Sequence, residues 1–368
     1  MKFTVPKDEF TAVLQTVSKV TATRSPTPVL EGVKITVRAD GITMEATDLD
    51  MGIRAALKPT AVEGEGEFVV MPARLLQLMN ELEDEEMTLS TDEANLVLQS
   101  KGGLFKFRRL GTEDFPQFPP VGGERVEVEA GPLKEMVDRI AFCAAKEKGR
   151  YALNGVYLAF EEGALEMVAT DGRRLGLCRY AREGIPAVKG GMILPVRLVE
   201  LLRKELARME ADRPAALSFF EGRALFEVDG ATIFGRLVMG EYPNYRAVLP
   251  TNLDKRAVFA HADFLRAARI AAIFTDPMKK AVVFTFSPGK VTMATTLPEQ
   301  GESRIEIPAE YEGPETALGF NPAYLLDYLR VVGAEKIEMR FLDERVAAEF
   351  RTEDDPFGYR YVLMPMKV

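Results

Sequence analysis

The chain has 368 residues, 47% of them apolar, and a formal charge of −9, which sets aside a disordered protein and predicts two or three globular domains. One histidine, His261, and two widely separated cysteines, Cys143 and Cys178, form no CxxC pair and no zinc spacing, and a metal site or histidine-based triad needs more than this or needs it near a partner. The acidic excess argues against bulk attraction to nucleic acid or anionic lipid. The opening "MKFTVPKDEF" lacks the apolar core of a signal peptide. No apolar run reaches the ~18 residues of a membrane span, so a reduced, cytoplasmic setting is expected.

In chain order, a short strand and a helix open the sequence. The strands "GVKITV" and "GITMEATD" follow, then the turn "ATDLDMGIRA" at Ala46 and a helix at "MPARLLQLMNEL" from Met71. "MTLSTDEANLVLQS" and "LFKFRRL" read as further strands, and the Pro/Gly-rich "PQFPPVGGE" as a linker. The order then repeats. Leu133, Met136, Val137, Ile140, Ala141 and Ala144 share one helical face, with Pro132 in the first turn. "GVYLAF" and "ALEMVATD" are strands, "ATDGRRLGLC" restates the turn at Ala169, and "LPVRLVELLRKEL" restates the second helix. Pro72 and Pro195 keep the offset of Thr47 and Thr170. A weaker third copy has a helix at "DFLRAARIAAIF" with Asp263 as its N-cap, the strand "KAVVFTFS", "TMATTLPEQ" at Thr292 and "FNPAYLLDYLRVV" with Pro322. "PNYRAVLPTNLDK" reads as the second linker. Long-period repetition in a fixed order predicts three α+β modules, 1–123, 124–250 and 251–368, each with two helices and about eight strands. The helices lie on one side of a sheet.

Charge is unevenly spread. The segments Leu133–Arg150 and "PVRLVELLRKELAR" carry more bases than acids. A basic helical layer can approach phosphates although the molecule is anionic overall. Such residues taken singly are ordinary solvated faces.

"MKFTV", "ATDGRRL", "LNGV" after Tyr151, "YPNYRAVLP", "GFNPAYLLDYL" and the terminal "YVLMPM" follow one another as in the β subunits of bacterial DNA polymerase III, the sliding clamps. The chain resembles that family over essentially its whole length. The resemblance implies three DNA-clamp domains per chain, with helices lining a ring and sheets outside. It implies a head-to-tail homodimer that closes a six-domain ring around double-stranded DNA without reading its sequence, and so confers processivity. The expected partners are the polymerase III alpha subunit, the clamp loader and other proteins with clamp-binding motifs. No catalytic site, cofactor, metal or membrane contact is expected. Attraction to the backbone alone lets a ring slide, and a head-to-tail contact must close to avoid filaments.

Carried onto this sequence, the partner-peptide groove comprises Leu153, Thr170, Gly172, Arg173, Arg174, Leu175, Pro243, Val248, Asn321, Tyr324, Val346, Val362, Met364, Pro365 and Met366. Arg173 stands where the family more usually has histidine. These are mostly apolar groups with adaptable methionines and a few polar ones to orient a peptide; without the resemblance "YVLMPM" reads as a core strand. DNA-facing candidates are Arg24, Arg74, Lys148, Arg150, Tyr151, Arg197 and Lys204, with Glu147 where the family often has a neutral polar residue. Dimer candidates are Phe105, Phe107, Leu110, Ile273 and Phe274, with Glu299 and Glu302 at the rim beside Lys106 and Arg108. Asp48 and Asp171 are read as turn-formers rather than catalytic carboxylates, and His261 as a surface residue. No phosphate-cradling glycine loop is present. Two other readings are a peptide-binding adaptor that does not encircle DNA, and an enzyme on a triplicated scaffold.

Overall fold

The computed structural model describes residues 1–120, 122–147, 151–161, 163–188, 190–275, 281–297 and 301–367, with Tyr151 in its backbone only. Among the described residues six α-helices form, α1 (Lys7–Ser18), α2 (Pro72–Glu81), α3 (Ala130–Ile140), α4 (Val196–Leu206), α5 (His261–Ile273) and α6 (Pro322–Val331), two in each third of the chain. Among the described residues the thirds contain nine, eight and eight strands.

The helices form where apolar residues recur at three- and four-residue spacing. In α1, Phe10, Leu14 and Val17 are fully buried, and in α5 Phe264, Ala267, Ala268 and Ala271. Burying a side chain such as Leu14 contributes about 1.5–3 kcal/mol. Pro72 and Pro322 occupy the first helical position of α2 and α6, where the missing N–H costs nothing. α3 stops at Ile140, and a 3-10 turn, Ala141–Cys143, carries the apolar face on to buried Ala144. Asp263 is not an N-cap. Ala260 holds that position without a side-chain bond, and Asp263 lies in the first turn, 3.4 Å from Arg266.

The chain divides into two compact units, Met1–Gly131 with Lys204–Leu237, and Pro132–Arg203 with Val238–Val368. In the first, one thirteen-stranded sheet runs in the order Glu124–Glu129, Pro214–Phe220, Arg223–Val228, Ala231–Arg236, Met51–Leu57, Gly41–Thr47, Val33–Arg38, Gly66–Val70, Gly103–Leu110, Asn95–Ser100, Glu86–Thr91, Lys2–Pro6, Ala61–Glu63. Every pairing is antiparallel; Phe234 stands opposite Gly52, and Gly235 opposite Met51.

The second unit holds an eight-stranded sheet: Met192–Pro195, Gly155–Glu161, Ala164–Thr170, Arg174–Ala181, Arg360–Leu363, Ala348–Arg351, Lys336–Phe341, Lys255–Ala260. Its four-stranded sheet runs Gly301–Pro308, Lys290–Leu297, Val282–Ser287, Thr316–Phe320. Phe264 of α5, Tyr328 of α6, Phe350 of the eight-stranded sheet and Phe284 and Phe320 of the four-stranded sheet pack together, several of them edge-on. The middle third thus gives strands to both units.

The segments read as linkers are packed. Phe118 meets Phe234 edge-on at 4.9 Å. Tyr245 is buried at the start of the 3-10 turn Tyr245–Val248. His261 is no free surface group: it opens α5 half-buried, and its Nε2–H donates to the Leu329 carbonyl at 2.8 Å.

Candidate functional site

The two Thr-Asp turns are built by the same local bonds. Thr170 Oγ1 donates to the Arg174 carbonyl (2.6 Å) and accepts from Gly172 N–H (3.0 Å), while Asp171 Oδ1 accepts from Arg173 and Arg174 N–H (2.9 and 3.0 Å). Thr47 Oγ1 donates to the Met51 carbonyl (2.8 Å) and accepts from Leu49 N–H (3.0 Å), and Asp48 Oδ1 accepts from Asp50 and Met51 N–H (3.2 and 2.9 Å). Short polar side chains closing on their own backbone make these turns, so both carboxylates are structural. The third residue is left-handed in each, φ 86 at Gly172 and φ 77 at Leu49.

Arg174 turns inward from the second turn and is buried. It donates to Asp327 Oδ2 (2.7 Å), the Phe142 carbonyl (2.7 Å) and Asp171 Oδ2 (3.2 Å), and its guanidinium lies 4.3 Å from the Tyr324 ring centroid. It therefore ties the turn to α6 and to the turn after α3. Arg173 stays exposed.

Beside this turn lies a cavity of about 220 Å³, lined by Leu153, Thr170, Gly172, Arg173, Arg174, Leu175, Pro243, Asn244, Tyr245, Val248, Ala347, Val362 and Met364. Antiparallel pairing sets Leu175 opposite Val362, and Met364 N–H donates to the Arg173 carbonyl at 2.9 Å. Leu175, Val362, Ala347 and Tyr245 belong to one buried cluster with Tyr157 and Tyr242 against it. Val248 and Met364 form an exposed apolar rim, 60% and 44% accessible. Buried Glu166 accepts from the Tyr245 hydroxyl and from Arg246 (2.8 Å). Burial pushes that hydroxyl well above its ordinary pKa and the Glu166 bond adds to the shift, so Tyr245 remains a fixed donor. An apolar hollow with a few oriented polar groups suits an apolar peptide side chain and no bond-making chemistry.

Of the fifteen groove candidates, the structure gathers ten around this cavity: Leu153, Thr170, Gly172, Arg173, Arg174, Leu175, Pro243, Val248, Val362 and Met364. Tyr324 instead lines a polar hollow of about 210 Å³ with Glu147, Asp171, Arg173 and Arg174. Asn321 caps α6, its Oδ1 accepting from Ala323 N–H at 3.0 Å. Met366 N–H bonds the Gly319 carbonyl at 2.8 Å. Pro365 and Val346 are half-buried away from the cavity lining. Asn244, Tyr245 and Ala347 were not anticipated, although Asn244 and Tyr245 sit within the quoted "YPNYRAVLP".

For the dimer candidates, Gly103–Leu110 pairs with Asn95–Ser100 from Gly103 to Arg108 and with Gly66–Val70 only at Arg109 and Leu110. From Leu104 to Arg108 its other edge pairs with no strand among the described residues. Leu104 is 59% exposed, and a cleft of about 960 Å³ lined by Phe105, Phe107, Met71, Arg74 and Leu78 runs alongside. In the second unit Gly301–Pro308, carrying exposed Glu302, is likewise an edge strand. Ile273 at the end of α5 is 73% exposed, and Phe274 is half-buried. Glu299 lies outside the described residues.

Lys148 and Arg150 also lie outside them, and Tyr151 opens the 3-10 turn Tyr151–Asn154. Arg24, Arg74, Arg197 and Lys204 are exposed. Arg24, Arg74 and Lys204 have no ion pair among the described residues, and Arg74 lies in the cleft beside Phe105. The basic helical layer is thinner than residue counts suggest. Lys134 pairs with Asp138 (2.7 Å), Arg203 also with Asp138, Arg208 with Glu205 (3.1 Å), and Arg139 is buried against Asp355 (2.6 Å). Among the described residues no cluster of His, Cys, Asp and Glu is placed to hold a metal, and no helix is long and apolar enough to cross a membrane.

Models of the N-terminal, central and C-terminal domains of the DNA polymerase III beta subunit match residues 1–119, 127–244 and 246–367. A beta sliding clamp of Pseudomonas aeruginosa is 29% identical over 375 residues, covering 100% of both chains. One from Chlamydia muridarum is 27% identical over 371 residues, covering 100% of this chain and 99% of its own. A crystal structure of the DNA polymerase III subunit beta from Pseudomonas aeruginosa matches with TM-score 0.93 at 28% identity. One of a sliding clamp from the same organism bound to griselimycin matches with TM-score 0.95 at 27% identity. Both cover 100% of each chain.

Proposed function

The chain belongs to the DNA polymerase III beta subunit family, the beta sliding clamps, and from that premise we propose that it closes as a head-to-tail homodimer around double-stranded DNA and tethers the replicative polymerase. Its modules are 1–123, 124–250 and 251–368. It acts in the cytoplasm as a processivity factor rather than as an enzyme. The cavity between the Thr170 turn and the Arg360–Leu363 strand takes the apolar side chains of a partner peptide from the polymerase alpha subunit, the clamp loader or another motif-bearing protein. The gathering of ten groove residues around that cavity carries this reading. The wider groove includes Asn321, Tyr324, Val346, Pro365 and Met366. Ring closure is supported by two strand edges that are unpaired among the described residues, Leu104–Arg108 and Gly301–Pro308, which require cover. Phe105, Phe107, Leu110, Ile273, Phe274, Glu299 and Glu302 form the closing contact. Arg24, Arg74, Arg197 and Lys204, with Lys148, Arg150 and Tyr151, face the DNA backbone, to which attraction is salt-dependent and sequence-blind.

Retention on DNA tests the ring. Clamp loaded onto a nicked circular plasmid should stay bound through gel filtration and be lost when the plasmid is cut once. Equal retention on circular and linear DNA overturns encirclement and favours the adaptor reading.

A further inference from the structure

The duplicated turn has a duplicated neighbourhood, all of it within the first compact unit. Arg236 N–H bonds the Asp50 carbonyl (2.8 Å) as Met364 N–H bonds the Arg173 carbonyl (2.9 Å), and the strands that follow pair in the same register. This fixes correspondences by position. Leu30 in "LEGV" answers Leu153 in "LNGV", and Phe118 in "FPQF" answers Tyr245 in "YPNY". Gly52 answers Leu175, and Phe234 answers Val362.

The last two pairs decide what the first neighbourhood can hold. Beside the second turn, Leu175 and Val362 leave a cavity between them and Tyr245. Beside the first, the Phe234 ring is buried against Gly52, where an added Cβ would come within 2.2 Å of the ring. The ring stands edge-on to Phe118 at 4.9 Å. Arg54 lies over the Phe118 ring, its guanidinium 4.2 Å from the ring centroid. An aromatic side chain supplied by the chain itself thus lies between the positions that answer Leu175 and Tyr245.

We propose that the neighbourhood of Gly52 and Phe118 is a second, closed copy of the peptide site, with Phe234 as its permanent occupant. The inference rests on reading the Leu153–Met364 cavity as the peptide groove. Its ligand class is a single aryl side chain, met internally, which limits each chain to one peptide. Removing the ring opens an apolar pocket that accepts a small arene, as apolar cavities do.

The test uses the full-length chain and toluene as probe, so it is independent of DNA and peptide binding. Phe234→Ala should show a toluene-dependent rise in melting temperature larger than that of the wild type. A folded Phe234→Ala protein with no larger rise overturns the proposal. The exchange Gly52→Leu with Phe234→Val, which installs the Leu175–Val362 pair, covers the case in which Phe234→Ala does not fold. The double variant should have a denaturant midpoint nearer the wild type than the sum of the two single effects. Additive or worse loss overturns the correspondence. Loss of peptide binding at the Leu153–Met364 cavity with these results intact would instead refute the groove reading alone.

Discussion

Replacing Arg174 by alanine should loosen the second unit well beyond the usual cost of a surface charge. The guanidinium donates to Asp327 and to the Phe142 carbonyl at 2.7 Å and to Asp171 at 3.2 Å, while covering the Tyr324 ring. Hydrogen bonds to charged groups contribute about 1.5–3 kcal/mol each, and breaking a buried pair costs about 3–5 kcal/mol. Two features reduce the loss. Asp327 is 33% exposed and keeps Arg330 at 3.7 Å, and Asp171 retains its backbone donors. The expected cost is about 2–4 kcal/mol. A chain with two compact units does not unfold in a two-state manner, so hydrogen exchange at Leu175 and Leu177 is the appropriate measurement. At 1.36 kcal/mol per tenfold, protection there should fall by about 30- to 1,000-fold. Arg174→Met should lose less, because Met51 fills the same place in the first turn and the thioether can still cover Tyr324. A fall of less than about threefold for alanine, on the same scale, would refute Arg174 as the tie between turn and helix.

Leu49→Gly should leave stability unchanged or raise it by up to about 1 kcal/mol, since a left-handed non-glycine residue costs about 1–2 kcal/mol and glycine's entropy returns about half. Hydrogen exchange at Met51 and Ile53 checks this, and a loss above about 1 kcal/mol on that reasoning would contradict the strain at φ 77. Cys143 and Cys178 are buried, and burial pushes both thiols up. Neither should react with a thiol reagent at pH 8 until urea unfolds the chain. Burial works against the Glu338 carboxylate, but hydrogen bonds from Arg256 (2.6 Å) and Arg340 outweigh it, holding its pKa below the ordinary 4.5. Its stabilisation is therefore present above 4.5 and lost as pH falls through the lower folded value. Glu338→Gln should flatten the acid limb of the stability curve, and an unchanged limb would show that the pairs contribute nothing.

What the sequence discloses follows the range of the interactions. The Thr-Asp turns and the helices after Pro72 and Pro322 are legible because their bonds close within a few residues. The residues of "ATDGRRL" and "YVLMPM" that line the cavity meet only through the pairing of Arg174–Ala181 with Arg360–Leu363. Long-range pairing hides the rest. Nothing near Asp263 indicates that Ala260 caps the helix, and nothing near His261 points to the Leu329 carbonyl. Arg139 counts as positive charge until Asp355, far along the chain, neutralises it. "PQFPPVGGE" runs across the junction between the matches to the N-terminal and central domain models, but its proline and glycine mark only a break in regular structure and do not disclose the packing of Phe118 on Phe234.

Repetition in the sequence and continuity in the backbone ladders have different periods. Met51–Leu57 and Ala231–Arg236 are neighbours in one sheet although they come from successive repeats, as are Arg174–Ala181 and Arg360–Leu363. A fragment ending at 123 would bare the Met51–Leu57 ladder, and one beginning at 251 would bare Arg360–Leu363. Unpaired N–H and C=O rows of that kind recruit other chains. The unit that was copied is thus not the unit that can be cut out. A fragment that keeps 204–237 with 1–131 has the better prospect of remaining monodisperse.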